Sequence, residues 1–152
     1  MHVVLVEPEI PQNTGNIART CAATGSVLHL VRPLGFSTED RYLKRAGLDY
    51  WHLVEIHYYN NLAHFLAVHR GKQLYFSTTR GGRWYTDFVF EPDSFLVFGK
   101  ETGGLPMELL QAHPERCMRI PMRSGARSLN LSNAVAVVLY EALRQQGFPG
   151  LV

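Results

Sequence analysis

The chain is poor in cysteine and in long hydrophobic runs, and each shortage excludes a class of protein. Its 152 residues include two cysteines, Cys21 and Cys117, in unrelated contexts. A disulfide framework is therefore not expected, and a reducing cytoplasmic compartment is. The apolar run at residues 1–6 is short and follows no basic segment, which excludes a signal peptide and a membrane span there. We expect a cytoplasmic protein with no membrane partner.

The chain also has little excess charge of either sign. Fifteen Lys and Arg residues against 13 Asp and Glu give a formal net charge of +2, which neither demands nor excludes a nucleic-acid partner. The basic residues are clustered at 41–45, 80–83 and 116–127, with aromatic residues among or near them. A solvated surface explains any single cluster, whereas three such clusters favour a phosphate-rich ligand.

Motifs for metal binding and for hydrolysis are missing. His52/His57 and His64/His69 have the spacing i, i+5, which does not place two ligands on one helical face as i, i+4 zinc pairs do. No cysteine pair accompanies them, so no metal site is expected. The sequence also lacks the G-x-S-x-G elbow, the P-loop and the G-x-G-x-x-G fingerprint,.

Short apolar segments alternate with helical patterns along the chain. Strands are predicted at 2–6, 27–31, 54–58, 73–77, 94–98 and 117–120. Helices are predicted from Asn13 to Gly25, after Asn60, from Pro106 through Gln111, and from Asn130 to Gly147. Most of the strands are almost continuously apolar, as strands buried on both faces are. The pattern predicts one α/β domain, residues 1–152, with a mostly parallel sheet covered by helices on both faces.

Ligands of parallel sheets bind beyond the carboxyl ends of the strands, and four loops there are rich in polar residues and glycine. In the first, after Val6, Asn13 or Thr14 could simply cap a helix. Arg19 is expected one turn into that helix, where a cation is poorly matched to the helix dipole. It therefore needs an anionic partner, either the carboxylate of Glu7 or Glu9 or a phosphate.

The other three loops follow Ser77, Phe98 and Ile120. The loop at 78–83 is a plain turn or the edge of a ligand site. The loop at 99–105 has three glycines, more than a turn needs, which indicates a close approach of its backbone to a ligand or another chain segment. The segment 120–133 has more Ser and Asn side chains than a helix start requires.

Taken together, these loops resemble the three motifs of the SPOUT superfamily of knotted RNA methyltransferases. Residues 13–19 resemble motif one, residues 98–106 motif two and residues 127–134 motif three. The resemblance covers essentially the whole chain, with the motifs in order. The minimal length, with Pro-Gln-Asn-Thr-Gly-Asn at 11–16 and Arg-Ala-Gly-Leu-Asp-Tyr at 45–50, is similar to the TrmL (YibK-like) branch.

The resemblance implies properties that periodicity does not predict. It implies a C-terminal deep trefoil knot, although chains as a rule do not thread loops, with Gly103 and Gly104 allowing the tight crossing. It implies a homodimer whose active site is completed across the interface. It also implies the use of S-adenosylmethionine to methylate the ribose 2′-hydroxyl of cytidine or uridine 34 of tRNA, leucine isoacceptors among them.

The same resemblance assigns candidate site residues. The catalytic group is expected to comprise Arg19, Asn13, Glu101, Ser128 and Asn130. Donor binding is expected from Ser77, Thr78, Gly99, Glu101, Gly103, Ile120, Met122, Ser128 and Leu129. Contacts with tRNA are expected from Arg19, Arg41, Lys44, Arg45, Arg80, Arg83 and Tyr140. The alternatives are a methyltransferase acting on another tRNA position or on rRNA, a non-catalytic RNA-binding factor of the same fold, and an unrelated nucleotide-binding α/β protein.

Overall fold

A parallel β-sheet forms the centre of the molecule. The structure, a computed structural model, describes residues 1–39 and 41–152, apart from the side chains of residues 44 and 46–49. The strands within this range are β1 (His2–Val6), β2 (Val27–Val31), β3 (Ile56–Tyr59), β4 (Leu74–Ser77), β5 (Arg83–Trp84), β6 (Phe95–Phe98) and β7 (Cys117–Arg119). They form one seven-stranded sheet in the order β3-β2-β1-β6-β4-β7-β5, and each neighbouring pair is parallel.

Helices cover both faces of this sheet. They are α1 (Pro11–Thr24), α2 (Arg41–Trp51), α3 (Leu62–Val68), α4 (Met107–Ala112) and α5 (Leu131–Gln145). One core cluster contains Ile17 of α1 and Leu139 of α5, and a second contains Phe65 of α3 and Leu109 of α4. Because β-strand side chains alternate between faces, residues of β1 contribute to both clusters. In the described part of the chain, no helix is long and apolar enough to cross a membrane.

The six predicted strands and the parallel sheet are confirmed, with strand ends that shift by up to two residues, as in β3 (Ile56–Tyr59 instead of 54–58). Several helix boundaries are corrected. Helix α1 begins at Pro11 instead of Asn13, and α3 is capped by Asn61 instead of Asn60. Pro106 is the N-cap of α4 and not part of its first turn. Helix α2 was not predicted, because the 41–45 segment was interpreted only as a basic cluster. The short strand β5 was also missed.

Because α1 begins earlier than predicted, Arg19 lies farther from the N-terminal end of the helix. This residue is the ninth counted from Pro11 in a helix of 14 residues, so it lies well beyond the first turn. The field of a helix terminus falls off within about one turn. The inference that the helix dipole demands an anionic partner for Arg19 is therefore wrong.

Strand β7 lies between β4 and β5, which are consecutive in sequence. The connection at 78–82 consequently has to cross β7. The backbone N–H of Thr78 donates to the carbonyl of Met118 (2.9 Å), and a Cβ placed on Gly81 would lie 3.2 Å from the carbonyl carbon of Met118. The connection between β4 and β5 thus crosses a strand, β7, that comes later in the chain. Simple sheets avoid such crossings.

A network of histidines lies on the α3 side of the sheet, with His29 and Tyr59 at its buried centre. The ring of His29 is hydrogen-bonded to His2 (2.9 Å) and to the hydroxyl of Tyr59 (2.8 Å), and that hydroxyl also bonds His69 (2.9 Å). Burial is the main reason that the pKa of His29 falls to about 3. The spacing of histidines in the sequence did not reveal this network, because its members come from three strands and from the end of α3. The described residues contain no cluster of three or more His, Cys, Asp or Glu suited to a metal ion.

Candidate active site

Three of the loops singled out from the sequence begin side by side. Strands β6, β4 and β7 are neighbours in the sheet and run in the same direction. Their carboxyl ends therefore place the segments 99–105, 78–82 and 120–130 along one edge of the sheet. The predicted donor-binding residues lie at the end of β4 or in these segments: Ser77, Thr78, Gly99, Glu101, Gly103, Ile120, Met122, Ser128 and Leu129.

The loop after β6 folds back on itself. The N–H of Gly104 donates to the carbonyl of Lys100 (2.9 Å). A Cβ on Gly99 would lie 2.0 Å from the carbonyl carbon of Gly104, which is far inside van der Waals contact. Gly104 has a φ of +66°, whereas Gly103 would bring its Cβ near only the flexible end of Lys100, at 3.3 Å. The crowding within this loop is thus between Gly99 and Gly104, and Gly103 takes no part in it. The chain crossing expected at Gly103 and Gly104 stays a prediction.

The carboxylate of Glu101 organises the start of α1. It accepts hydrogen bonds from the backbone N–H groups of Glu9 (2.8 Å) and Ile10 (3.0 Å) and from the side-chain amide of Asn13 (3.2 Å). Ile10 is the N-cap residue, and within the described structure its side chain makes no capping hydrogen bond. Glu101 therefore supplies, from about 90 residues away in sequence, an acceptor that the helix start lacks locally.

Glu9 forms a reciprocal contact with the loop after β6. Its carboxylate accepts hydrogen bonds from the backbone N–H (3.1 Å) and the hydroxyl (2.7 Å) of Thr102. The side-chain bond from Thr102 is the main reason that the pKa of Glu9 is lowered. The loop after β1 and the loop after β6 are thus clamped together by two carboxylates.

Asn13 joins this clamp to the third loop. Its side-chain oxygen accepts a hydrogen bond from the side-chain amide of Asn130 (3.0 Å), and Asn13 itself is buried. The side-chain oxygen of Asn130 in turn caps α5 by accepting from the N–H of Ser132 (2.9 Å) and of Asn133 (3.4 Å). One continuous chain of hydrogen bonds, Glu101–Asn13–Asn130, therefore connects the three motif segments.

Arg19 and Ser128 are not part of this chain of bonds. Arg19 is exposed, and its guanidinium lies 4.7 Å from the ring centroid of Tyr50. Among the described residues it has no ion pair, so neither Glu7 nor Glu9 is the structural partner considered from the sequence. It lies six positions after Asn13 in α1, which is about 9 Å along the axis and on a different face. Ser128 is exposed and has no hydrogen-bond partner within the described structure.

An open pocket lies next to the clamp. Its empty volume is about 370 Å³, and its lining residues are Glu7, Glu9, Pro33, Leu34, Gly35 and Lys100. It opens at the carboxyl ends of β1 and β2, beside the loop that follows β6. The segment 33–35 was missed as a site, although its position directly after β2 was the available signal.

The predicted tRNA-binding residues are spread over several surfaces. Arg41 and Arg45 are exposed on α2, whereas the Lys44 side chain lies outside the described residues. Arg80 is exposed in the 78–82 connection. Arg83 donates to the carbonyl of Asp87 (2.7 Å) and lies 4.2 Å from the Phe88 ring centroid. Tyr140 is exposed on α5.

The parallel α/β sheet and the three mutually bonded loops at its carboxyl edge lie within a region that matches a known protein family. The chain belongs to the SpoU rRNA Methylase family, whose model matches residues 1–140. This result supports the motif-based resemblance.

Two relatives match along nearly their whole length, and a third matches over part of its length. The tRNA (cytidine(34)-2′-O)-methyltransferase of Methylovorus glucosotrophus is 50% identical, over 99% of this chain and 98% of that protein. A solved structure concerning the 2-OH methylation of C/U34 on tRNA is 47% identical, with a TM-score of 0.92 over 96% of this chain and 95% of that one. The SpoU methyltransferase AviRb of Streptomyces viridochromogenes, in complex with the cofactor AdoMet, is 26% identical with a TM-score of 0.82, over 96% of this chain and 57% of that one.

Proposed function

We propose that this chain is an S-adenosylmethionine-dependent methyltransferase that acts on the ribose 2′-hydroxyl of cytidine or uridine 34 of tRNA. The observation that carries the proposal is the chain of bonds Glu101–Asn13–Asn130, which holds the three motif loops together at one edge of the sheet. Full-length similarity to enzymes named for this reaction supports it. We further propose that residues 1–152 act as one domain, in the cytoplasm, where tRNA is modified.

The residues of the three loops fit the methyl donor. Ile120, Met122 and Leu129 offer apolar surface to an adenine ring. Within the described structure, the backbone N–H groups of Met122, Ser128 and Leu129 have no protein acceptor, so they are available to a ligand. Bound there, S-adenosylmethionine supplies the electrophilic methyl group. The protein's own contribution is to align the acceptor and to exclude water.

Within this proposal, Asn13, Glu101 and Asn130 are positioning residues, because their polar atoms are engaged with one another. Arg19 acts on the RNA. A guanidinium group offers only hydrogen-bond donors and no acceptor, so Arg19 does not serve as a base. Its role is to hold the phosphate next to the target ribose and to stabilise the negative charge that develops on the 2′-oxygen.

We also propose that Arg19 reaches the site of a second copy of the chain. It is exposed and lies off the hydrogen-bonded network of its own chain. On α5, the exposed side chains of Val137 (38%) and Tyr140 (46%) provide apolar surface for a partner. A homodimer built on α1 and α5 would bring each Arg19 toward the loops of the other chain.

The C-terminal knot belongs to the same proposal. The connection at 78–82 crosses β7, and the chain then continues through 120–130 into α5, which packs in the same core cluster as α1.

The test is to incubate the protein with labelled S-adenosylmethionine and total tRNA and to map the labelled nucleotide. We expect a 2′-O-methyl group at position 34. Arg19→Ala should bind the donor normally and lose transfer, whereas Arg70→Ala, which removes an exposed arginine before β4, should retain both.

Label at another nucleotide or in rRNA would favour a different substrate within the same family. Failure to bind S-adenosylmethionine at all would favour a non-catalytic RNA-binding factor.

A further inference from the structure

Trp84 is a large aromatic side chain left exposed next to the donor loops. Its exposed fraction is 49%, although burial of an indole is strongly favourable. It lies on the edge strand β5, opposite Arg119 of β7, and therefore at the same carboxyl edge of the sheet as the end of β4. Its backbone is held by a hydrogen bond from its N–H to the carboxylate of Asp87 (3.1 Å). Its position is thus restrained while its ring faces solvent.

The surroundings of Trp84 are positively charged. The segments 78–84 and 117–130, which meet where β5 pairs with β7, contain five arginines and no Asp or Glu: Arg80, Arg83, Arg119, Arg123 and Arg127. Among the described residues, none of these arginines forms an ion pair. Arg83 is engaged with the Asp87 carbonyl and the Phe88 ring, which leaves the other four available. These four arginines and Trp84 are called the Trp84 patch below.

We propose that the Trp84 patch binds single-stranded RNA of the tRNA substrate, with one unpaired base stacked on Trp84 and adjacent phosphates held by Arg80 and Arg119. This inference rests on the proposed function and extends it to a contact surface. An exposed indole gives a base a stacking face that does not depend on sequence, and flanking arginines attract the backbone. The patch adjoins the donor loops, so a base bound there lies close to the nucleotide that is methylated.

The proposal also changes the expected role of Arg83. Sequence clustering assigned it to tRNA together with Arg80. Because its guanidinium is bonded to the Asp87 carbonyl, its removal should lower stability more than RNA affinity. Arg119 lies in the basic cluster at 116–127 but was not among the residues assigned to tRNA. It takes the place of Arg83 in the contact surface through the register of β5 with β7.

Tryptophan fluorescence can report this contact directly. The chain has two tryptophans, so Trp51→Phe leaves Trp84 as the only indole. Titration of this variant with an anticodon stem-loop RNA should quench the emission, as stacking on a base does. No change in emission at saturating RNA, with RNA binding verified independently by filter binding, would overturn the proposal.

Affinity measurements test the same point in the otherwise unaltered chain. Trp84→Ala should weaken binding of the stem-loop by about 5- to 150-fold, the range for loss of one aromatic–base stack, and Trp84→Phe should restore most of it. Arg119→Ala should reduce the slope of log affinity against log salt by about one unit. Binding of S-adenosylmethionine should not change in any of these variants.

Two matched controls accompany them. Val89→Ala removes another exposed apolar side chain of the same region (78% exposed), and Arg70→Ala removes an exposed arginine before the opposite, amino-terminal end of β4. Neither should alter RNA affinity.

The outcomes separate this inference from the function on which it rests. If the wild-type protein methylates tRNA and Trp84→Ala binds RNA equally well, the proposed RNA-binding role of the Trp84 patch is wrong and the proposed function stands. If Trp84→Ala instead changes the oligomeric state, the patch is an interface between copies of the chain. If the wild-type protein neither binds nor methylates tRNA, both proposals fail.

Discussion

Gly99 and Gly103 lie four residues apart in the same loop, yet their surroundings differ sharply. From the sequence both have the same expected role, because a glycine-rich segment after a buried strand does not indicate which glycine is crowded. The structure distinguishes them: a Cβ on Gly99 would meet the backbone of Gly104 and Leu105, at 2.0 and 2.2 Å. Backbone atoms cannot move aside as the end of a lysine side chain can.

We therefore predict that Gly99→Ala lowers the free energy of unfolding by about 3 kcal/mol, because the added methyl group forces the loop apart. Gly103→Ala should change it by less than about 0.5 kcal/mol. Urea unfolding followed by circular dichroism measures both values. Equal effects of the two substitutions would show that the crowding at Gly99 is relieved without cost.

At the scale of elements, the start of α5 combines two functions in one side chain. Asn130 caps the helix with its oxygen and bonds Asn13 with its amide. The sequence indicated a cap near 130, since the surplus of Ser and Asn exceeded what one helix start requires. It did not indicate the partner, because Asn13 lies 117 positions away.

Asn130→Asp should separate the two functions. The carboxylate keeps the cap, so stability should fall by less than about 1 kcal/mol, but it cannot donate to Asn13 and repels the oxygen of that side chain. We expect methyl transfer to fall by at least about tenfold, the equivalent of roughly 1.4 kcal/mol lost from one hydrogen bond.

Asn130→Ala is the comparison, since it loses both functions and should cost about 1–2 kcal/mol in stability as well. The measurements are thermal unfolding and single-turnover methylation. Full activity of Asn130→Asp would mean that the bond to Asn13 does not position the loops.

At the scale of the whole molecule, the histidine network makes stability depend on pH. His29 is buried (3% exposed), and its pKa is depressed to about 3, chiefly by burial. The unfolded chain binds this proton near pH 6.5, whereas the folded chain does not, so acidification favours unfolding. Stability is therefore lost as the pH falls from about 6.5 toward 3.

Between pH 7.5 and pH 5.5 we predict a loss of about 1.4 kcal/mol from His29. The pKa values of His2 and His69 are also lowered, mainly by burial, and they add to this loss. Urea unfolding at the two pH values measures the difference, and His29→Gln should make it smaller while lowering stability at pH 7.5. A free energy of unfolding that does not change over this range would contradict the prediction.

The proposed action of Arg19 in the site of the partner subunit is also a property of the whole assembly. Arg19→Ala can be mixed with a second variant that has lost donor binding, such as Leu129→Glu once calorimetry verifies that loss. If Arg19 acts across the interface, mixed dimers contain one site with an intact donor loop and an intact arginine. We then expect about a quarter of wild-type activity after subunits exchange at random, because half of the dimers are mixed and each has one of two sites.

Homogeneous samples of either variant serve as controls and should be inactive. Activity that stays absent after subunit exchange, verified with differently tagged chains, would place Arg19 in the site of its own chain.

The sequence by itself determined the parallel α/β architecture, because nearly continuous apolar strands require cover on both faces, and it located the loops that carry polar residues and glycines. It also identified Glu101, Asn13 and Asn130 through the motif resemblance. Only the tertiary structure decided that these three residues bond one another, that Gly99 is the crowded glycine, and that Trp84 and Arg119 share one edge. Periodicity is a local property, whereas strand order, the insertion of β7 between β4 and β5, and contacts across 90 or more residues depend on how the elements pack.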